Sequence, residues 1–96
     1  MQRNLENKVV WVTGAAGGMG QNIAITMSKL KSKIIISDID EKNLKMTADK
    51  CPYYSSIKPL DITNINQVKN VAKEIKDEFG RLDILINAAG INIQNR

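Results

Sequence analysis

Residues 8–20 read KVVWVTGAAGGMG. Val9, Val10, Trp11 and Val12 form an unbroken β-branched and aromatic run, which suits a strand buried on both faces of a parallel sheet. Gly14, Gly17, Gly18 and Gly20 follow within seven residues, and beyond them the pattern becomes amphipathic and helical. The glycines therefore sit where a strand turns into a helix. Lacking a Cβ, they let backbone come close to a ligand, and the helix start aims unpaired N–H groups and the positive dipole end into the same space. Such a turn is an anion site, suited to a phosphate or pyrophosphate.

Upstream, residues 1–7 are a polar lead-in that does not resemble a signal peptide. Downstream, Met19, Ile23, Met27 and Leu30 recur at helical spacing and predict a first helix over 19–30 with one buried stripe. Two lysines follow, with no glycine to supply a left-handed cap. Ile34, Ile35 and Ile36 read as the second strand, ending at Ser37 and Asp38. Asp40 can cap a short helix that begins at Glu41, turns Leu44 and Ala48 inward and stops at Pro52. A third strand is expected over 56–60, short and near a sheet edge because of Pro59. Asn64 and Gln67 fit a capping box, and Ile65, Val68, Val71, Ala72, Ile75 and Phe79 give the next helix its period, with Gly80 to end it. Residues 82–86 supply a fourth strand, which runs into Asn87-Ala88-Ala89-Gly90.

Strand and helix alternate throughout. Right-handed crossovers turn that order into an α/β fold, a Rossmann-like doubly wound parallel sheet with strand order 3-2-1-4, partial because it ends after the fourth strand. No linker or repeat interrupts residues 1–96, so one domain is expected. The winding reverses between strands one and four, and ligands bind at that point, outside the carboxyl ends of the strands. The glycine turn, Asp38 and residues 87–90 all reach this edge.

Composition excludes several functions. The 96 residues are 43% hydrophobic and 25% charged, as in an ordinary globular protein. The net charge of +4 comes from scattered lysines and argues against nucleic-acid binding. Cys51 is the one cysteine and there is no histidine, so neither a disulfide, a metal site nor a Cys–His nucleophile is expected. No apolar run is long enough to span a membrane, and the expected location is cytoplasmic.

Residues 13–20 match two overlapping patterns, TGxxxGxG through Gly18 and TGxxGxxG through Gly17. The turn alone leaves both open. Asp38, eighteen residues beyond Gly20, can accept the hydroxyl hydrogens of an adenosine ribose and would repel a 2′-phosphate. Neither Ala16 nor Ile39 offers a basic partner for that phosphate, so NAD is expected over NADP. Asp61 fits either a cofactor contact or a strand-ending acid. Tyr54 and Lys58 have the Tyr-x-x-x-Lys spacing of an oxidoreductase pair, but they enter a strand between two prolines and are read as a coincidence.

These residues resemble the short-chain dehydrogenases/reductases. Thr13 to Gly20 is similar to the family's glycine motif, Asp38 to its ribose-binding acid, and Asp61-Ile62 to the pair at its adenine pocket. Leu82 to Gly90, LDILINAAG, is similar to its fourth strand and Asn-Asn/Ala-Ala-Gly motif, and favours the shorter single-domain branch. The resemblance implies a cofactor-binding set of Gly14, Ala16, Gly17, Gly18, Met19, Gly20, Asp38, Ile39, Asp61, Ile62, Asn87, Ala88, Ala89 and Gly90. The glycine turn would hold the pyrophosphate, Asp38 the ribose, Asp61 and Ile62 the adenine, and residues 87–90 the neighbouring sugar. It implies a homo-oligomeric NAD-dependent oxidoreductase that moves a hydride between the cofactor and a small alcohol or carbonyl substrate.

Members run to about 250 residues as one domain, and their catalytic Asn, Ser, Tyr and Lys follow the point where this chain ends. The expectation is therefore an N-terminal fragment with no catalytic residue, inactive by itself. The alternatives are a non-catalytic dinucleotide-binding module and an inert truncated fragment. Its fourth strand would leave an apolar edge open.

Overall fold

A computed structural model describes residues 5–90. The elements are β1 (Val9–Thr13), α1 (Gly18–Lys29), β2 (Lys33–Ser37), α2 (Glu41–Lys50), β3 (Ser55–Ile57), α3 (Ile65–Phe79), β4 (Ile84–Asn87) and a 3-10 turn (Ala88–Gly90). The strands form one parallel sheet in the order β3-β2-β1-β4, the expected winding.

The unbroken apolar runs follow from burial on both faces. Val10, Val12, Ile34 and Ile36 face one core with Ala15, Ala24, Leu44 and Ala88, beneath α1 and α2. Val9, Trp11 and Ile35 face the other with Leu60, Val71 and Ile75, beneath α3. Trp11 brings a polar edge into that second core, and its Nε1–H donates to Ser37 Oγ at 2.9 Å, so no buried donor is stranded.

Several boundaries differ from the sequence expectation. The fully buried face of α1 is Gly20, Ala24 and Ser28, not the Met19–Leu30 stripe. Ile23 and Met27 pack only partly against the core, and Met19 is 55% exposed. Small residues there let the helix lie close to the sheet. On α2 the buried pair is Leu44 and Thr47, with Ala48 at the margin. β3 is only Ser55–Ile57, paired with Ile34 to Ile36 of β2, and stops two residues before Pro59. β4 starts at Ile84, opposite Val10, and its outward Leu85 is 57% exposed. On α3, Ile65 and Ala72 stay in solvent while Val71 and Ile75 are buried.

The capping box forms by half. Asn64 Oδ1 accepts from the N–H groups of Asn66 and Gln67, but the Gln67 side chain reaches past the cap and accepts from Asp61 N–H at 2.8 Å.

The end of α1 solves its missing glycine at a cost. Lys31 adopts φ 71°, its N–H donates to Ser28 O, and Ser32 N–H reaches Met27 O, which is the paired hydrogen-bond pattern of a left-handed helix stop. A non-glycine residue there costs about 1–2 kcal/mol. Lys31→Gly is expected to stabilise the chain by about 1 kcal/mol, offset by about 0.5 kcal/mol for the lost contact of Lys31 Nζ with the Tyr53 ring. A thermal melt checks this: Tm should rise, and a fall would mean the ring contact dominates.

Asp83 ties β4 to the start of β1. Its Oδ2 accepts from Val9 N–H at 2.8 Å, and Arg81 donates to Oδ1 at 2.8 Å. The Arg81 guanidinium, then the Val9 bond, hold its carboxyl below the usual carboxylate range. A group whose folded pKa is depressed contributes stability above its unfolded pKa and loses it as pH falls through the folded value. Melts in acid should therefore drop below about pH 4, and Asp83→Asn should flatten that drop while lowering Tm at neutral pH. A pH profile identical to the unsubstituted chain would remove Asp83 from the account.

Candidate functional site

Three strands end level with one another. Thr13 pairs with Ser37 on one side and Asn87 on the other, and from this line three turns depart: the glycine turn, residues 38–40, and the 3-10 turn. One side-chain bond and one backbone bond brace the line. Thr13 Oγ1 donates to Asn87 Oδ1 at 2.9 Å, and Ala15 N–H donates to Ser37 O.

The glycine turn is set by close approach. Gly14 has φ +73°, and a Cβ there would lie 2.4 Å from Ala89 N. A Cβ on Gly20 would lie 1.9 Å from Gly14 O. Gly18 has φ +58° and open space. Gly17 is extended backbone at φ −170°, and a Cβ on it would meet nothing within 4 Å. Close approach thus requires glycine at 14 and 20, and the left-handed backbone favours it at 18 but not at 17, so of the two overlapping patterns TGxxxGxG fits better.

Among the described residues no side chain caps α1, and its first turn has no acidic residue. Its leading N–H groups are therefore left for an anion. Gly14, Gly17, Gly18, Met19, Gly20, Asp38, Ala88 and Ala89 line a recess of about 470 Å³ at this helix start. A second recess of about 150 Å³ adds Ile39, Asp61 and Ile62, and shares Gly14, Asp38 and Ala89 with the first. The two recesses adjoin across the carboxyl ends of the strands. Among the described residues no lysine or arginine lines either one.

Asp38 stands at the junction with both oxygens oriented. Oδ2 accepts from Ala16 N–H at 3.0 Å and Oδ1 from Asp40 N–H at 3.1 Å, and each carboxylate oxygen can still accept another donor. Asp61 stands just past Leu60, between β3 and α3. It lines the second recess, while its Oδ1 accepts from Thr63 N–H and Oγ1, and these bonds hold its carboxyl below the usual range.

Ala16 and Asn87 line neither recess. Their polar groups brace it instead, through Asp38 and Thr13. Gly90 closes the 3-10 turn. Thr13, Ser37 and Leu60 also line the second recess, outside the expected cofactor-binding set; the β1–β2 register sets Thr13 beside Ser37, and Leu60, beyond β3, is held there by its N–H donating to Asp38 O at 3.2 Å. Tyr54 and Lys58 are engaged elsewhere, Tyr54 edge-on to Phe79 and Lys58 with Glu74 and Glu78. Among the described residues no group of His, Cys, Asp or Glu could hold a metal ion, and no helix is long and apolar enough to cross a membrane.

A family model described as short chain dehydrogenase matches residues 8–96. The short chain dehydrogenase/reductase dpfgG of Gibberella zeae is 39% identical over 90 residues, covering 92% of this chain and 33% of its own length. A putative D-mannonate oxidoreductase from Haemophilus influenza, solved with bound NAD, matches at TM-score 0.78 and 26% identity over 86% of this chain and 31% of its own. A metagenomic short-chain oxidoreductase in complex with NADP shares the fold at TM-score 0.81 and 23% identity, over 84% of this chain and 38% of its own. The chain spans about a third of the length of the relatives it matches.

Proposed function

The chain belongs to the short-chain dehydrogenase family over residues 8–96, and from that premise we propose that it is the dinucleotide-binding part of a nicotinamide-dependent oxidoreductase, with NAD as its cofactor. The observation that carries this reading is the junction at Asp38, where an uncapped glycine-turn helix start and an oriented carboxylate border the same pair of adjoining recesses.

Each part of the cofactor meets a group suited to it. The pyrophosphate fits the α1 start, where Gly17 to Gly20 present backbone. The adenosine ribose fits Asp38, which accepts its hydroxyls, and the adenine fits the second recess between Ile39 and Ile62 with Asp61. The neighbouring sugar fits beside Ala88 and Ala89 of the 3-10 turn, braced by Asn87 and closed by Gly90. The negative Asp38 and the lack of a lysine or arginine among the described lining residues disfavour a 2′-phosphate. When bound, the nicotinamide supplies the hydride chemistry. We read residues 1–96 as part of a single Rossmann-like domain whose longer form would act on a small alcohol or carbonyl.

Isothermal titration calorimetry of the chain tests the reading. NAD should bind, and should bind at least about tenfold more tightly than NADP, a difference of about 1.4 kcal/mol. No heat at millimolar NAD would sink the dinucleotide assignment, and equal affinity for the two would sink the cofactor preference.

A further inference from the structure

Thr47 is the polar residue that helical periodicity failed to place on the inner face of α2. It has no exposed surface. Its Oγ1 lies 2.7 Å from Ala15 O in the glycine turn and 3.3 Å from Asn43 O one helical turn back. A hydroxyl has one hydrogen, and the shorter bond takes it. Threonine in a helix ordinarily bonds back to its own preceding turn; here the hydroxyl is drawn out to a different element. The same oxygen accepts from Gln21 Nε2 on α1 at 2.9 Å. One buried oxygen thus joins α2, α1 and the glycine turn.

The bond acts on the part of the turn that the strands leave unfixed. Ala15 N–H is held by Ser37 O and Ala16 N–H by Asp38 Oδ2, both at the end of β2 or just past it. Ala15 O is gripped from the opposite side, by α2. Residues 15 and 16 are therefore held from two sides immediately before Gly17 and Gly18, whose backbone lines the larger recess.

We propose that Thr47 is a positioning residue of the dinucleotide site, fixing the glycine turn through Ala15 O so that the backbone of residues 17–20 meets the pyrophosphate without rearrangement. The inference rests on the dinucleotide reading above. Thr47→Val keeps the volume and removes the hydroxyl, leaving a buried carbonyl without its donor; Thr47→Ser keeps the hydroxyl.

The experiment measures NAD, ADP-ribose and adenosine binding to the chain and to both variants, by calorimetry for the first two and NMR shift titration for the third. Thr47→Val should weaken NAD and ADP-ribose about tenfold, the equivalent of one buried hydrogen bond, and leave adenosine, which has no phosphate, within about twofold. Thr47→Ser should bind all three as the unsubstituted chain does. Unchanged NAD binding in Thr47→Val, or equal weakening of all three ligands, would overturn the proposal, the latter marking a merely structural role. An unsubstituted chain that binds no NAD would overturn the dinucleotide reading, and this one with it. If Thr47→Val does not fold, Gln21→Met removes the second tie to the same oxygen and should weaken NAD about threefold with adenosine unchanged; no change in NAD would overturn the proposal.

Discussion

Gly20→Ala is expected to unfold the chain or lower its Tm by more than about 10 °C. The added Cβ would lie 1.9 Å from Gly14 O, 2.7 Å from Gly14 C and 3.1 Å from the Ala88 Cβ, so the first two obstacles are backbone atoms rather than a flexible side-chain end. Relief requires α1 to move away from the turn. That helix is anchored by Ala24 and Ser28, both fully buried, and the turn is fixed by its bonds to Ser37, Asp38 and Thr47. Overpacking usually costs about 1–3 kcal/mol and more where nothing can give, against a total stability of about 5–15 kcal/mol for ordinary domains. For a chain of this size each kcal/mol is worth about 4–8 °C. Gly17→Ala provides the contrast, since its Cβ would meet nothing and its backbone is extended. Its Tm should stay within about 3 °C, a surface-like effect of about 0.5 kcal/mol, while its NAD affinity falls because the Cβ would enter the space proposed for the pyrophosphate. A Gly20→Ala variant that melts like the unsubstituted chain would show that α1 does not lie as close to the turn as described.

The same contrast explains what could be read from the chain. Val9 to Val12 and Ile34 to Ile36 were legible because a strand buried on both faces needs apolar residues at every position, and the winding order followed from alternation of strand and helix. The inner face of α1 was not legible, because its closest contacts are made by Gly20, Ala24 and Ser28. Small residues that permit close packing carry almost no hydrophobic signal, so the periodicity settled on Met19, which faces solvent. Thr47 was hidden for the opposite reason: its polarity argues for solvent until its partners, 26 and 32 residues away, are known.

In the candidate site the division is similar. Glycines and an acid directly after a strand announce themselves, because a tight approach and a fixed carboxylate each demand a particular residue. Thr13 and Asn87, 74 positions apart, brace the site through a bond that only the β1–β4 register creates. No local spacing encodes it.

Substituting Asp38 should cause the largest loss of binding. Asp38→Ala removes the acceptor proposed for two ribose hydroxyls and also releases Ala16 N–H and Asp40 N–H. Hydrogen bonds to a charged group contribute about 1.5–3 kcal/mol each, so NAD affinity should fall about a hundredfold or more. Asp38→Asn does not preserve the site despite its shape. Both carboxylate oxygens accept from backbone N–H groups, so in either flip the asparagine NH₂ faces another donor, and one backbone bond is lost along with the charge. Its loss of NAD should approach that of the alanine variant. NADP separates the two things Asp38 does. Removing the negative charge relieves repulsion of the 2′-phosphate, so NADP affinity should hold or rise while NAD falls, and the ratio between them should collapse. If NAD and NADP weakened equally, Asp38 would act only by holding the glycine turn at Ala16. If NAD binding were unchanged, the ribose would not sit at the junction of the two recesses, and the carboxylate's two backbone bonds would be its whole role.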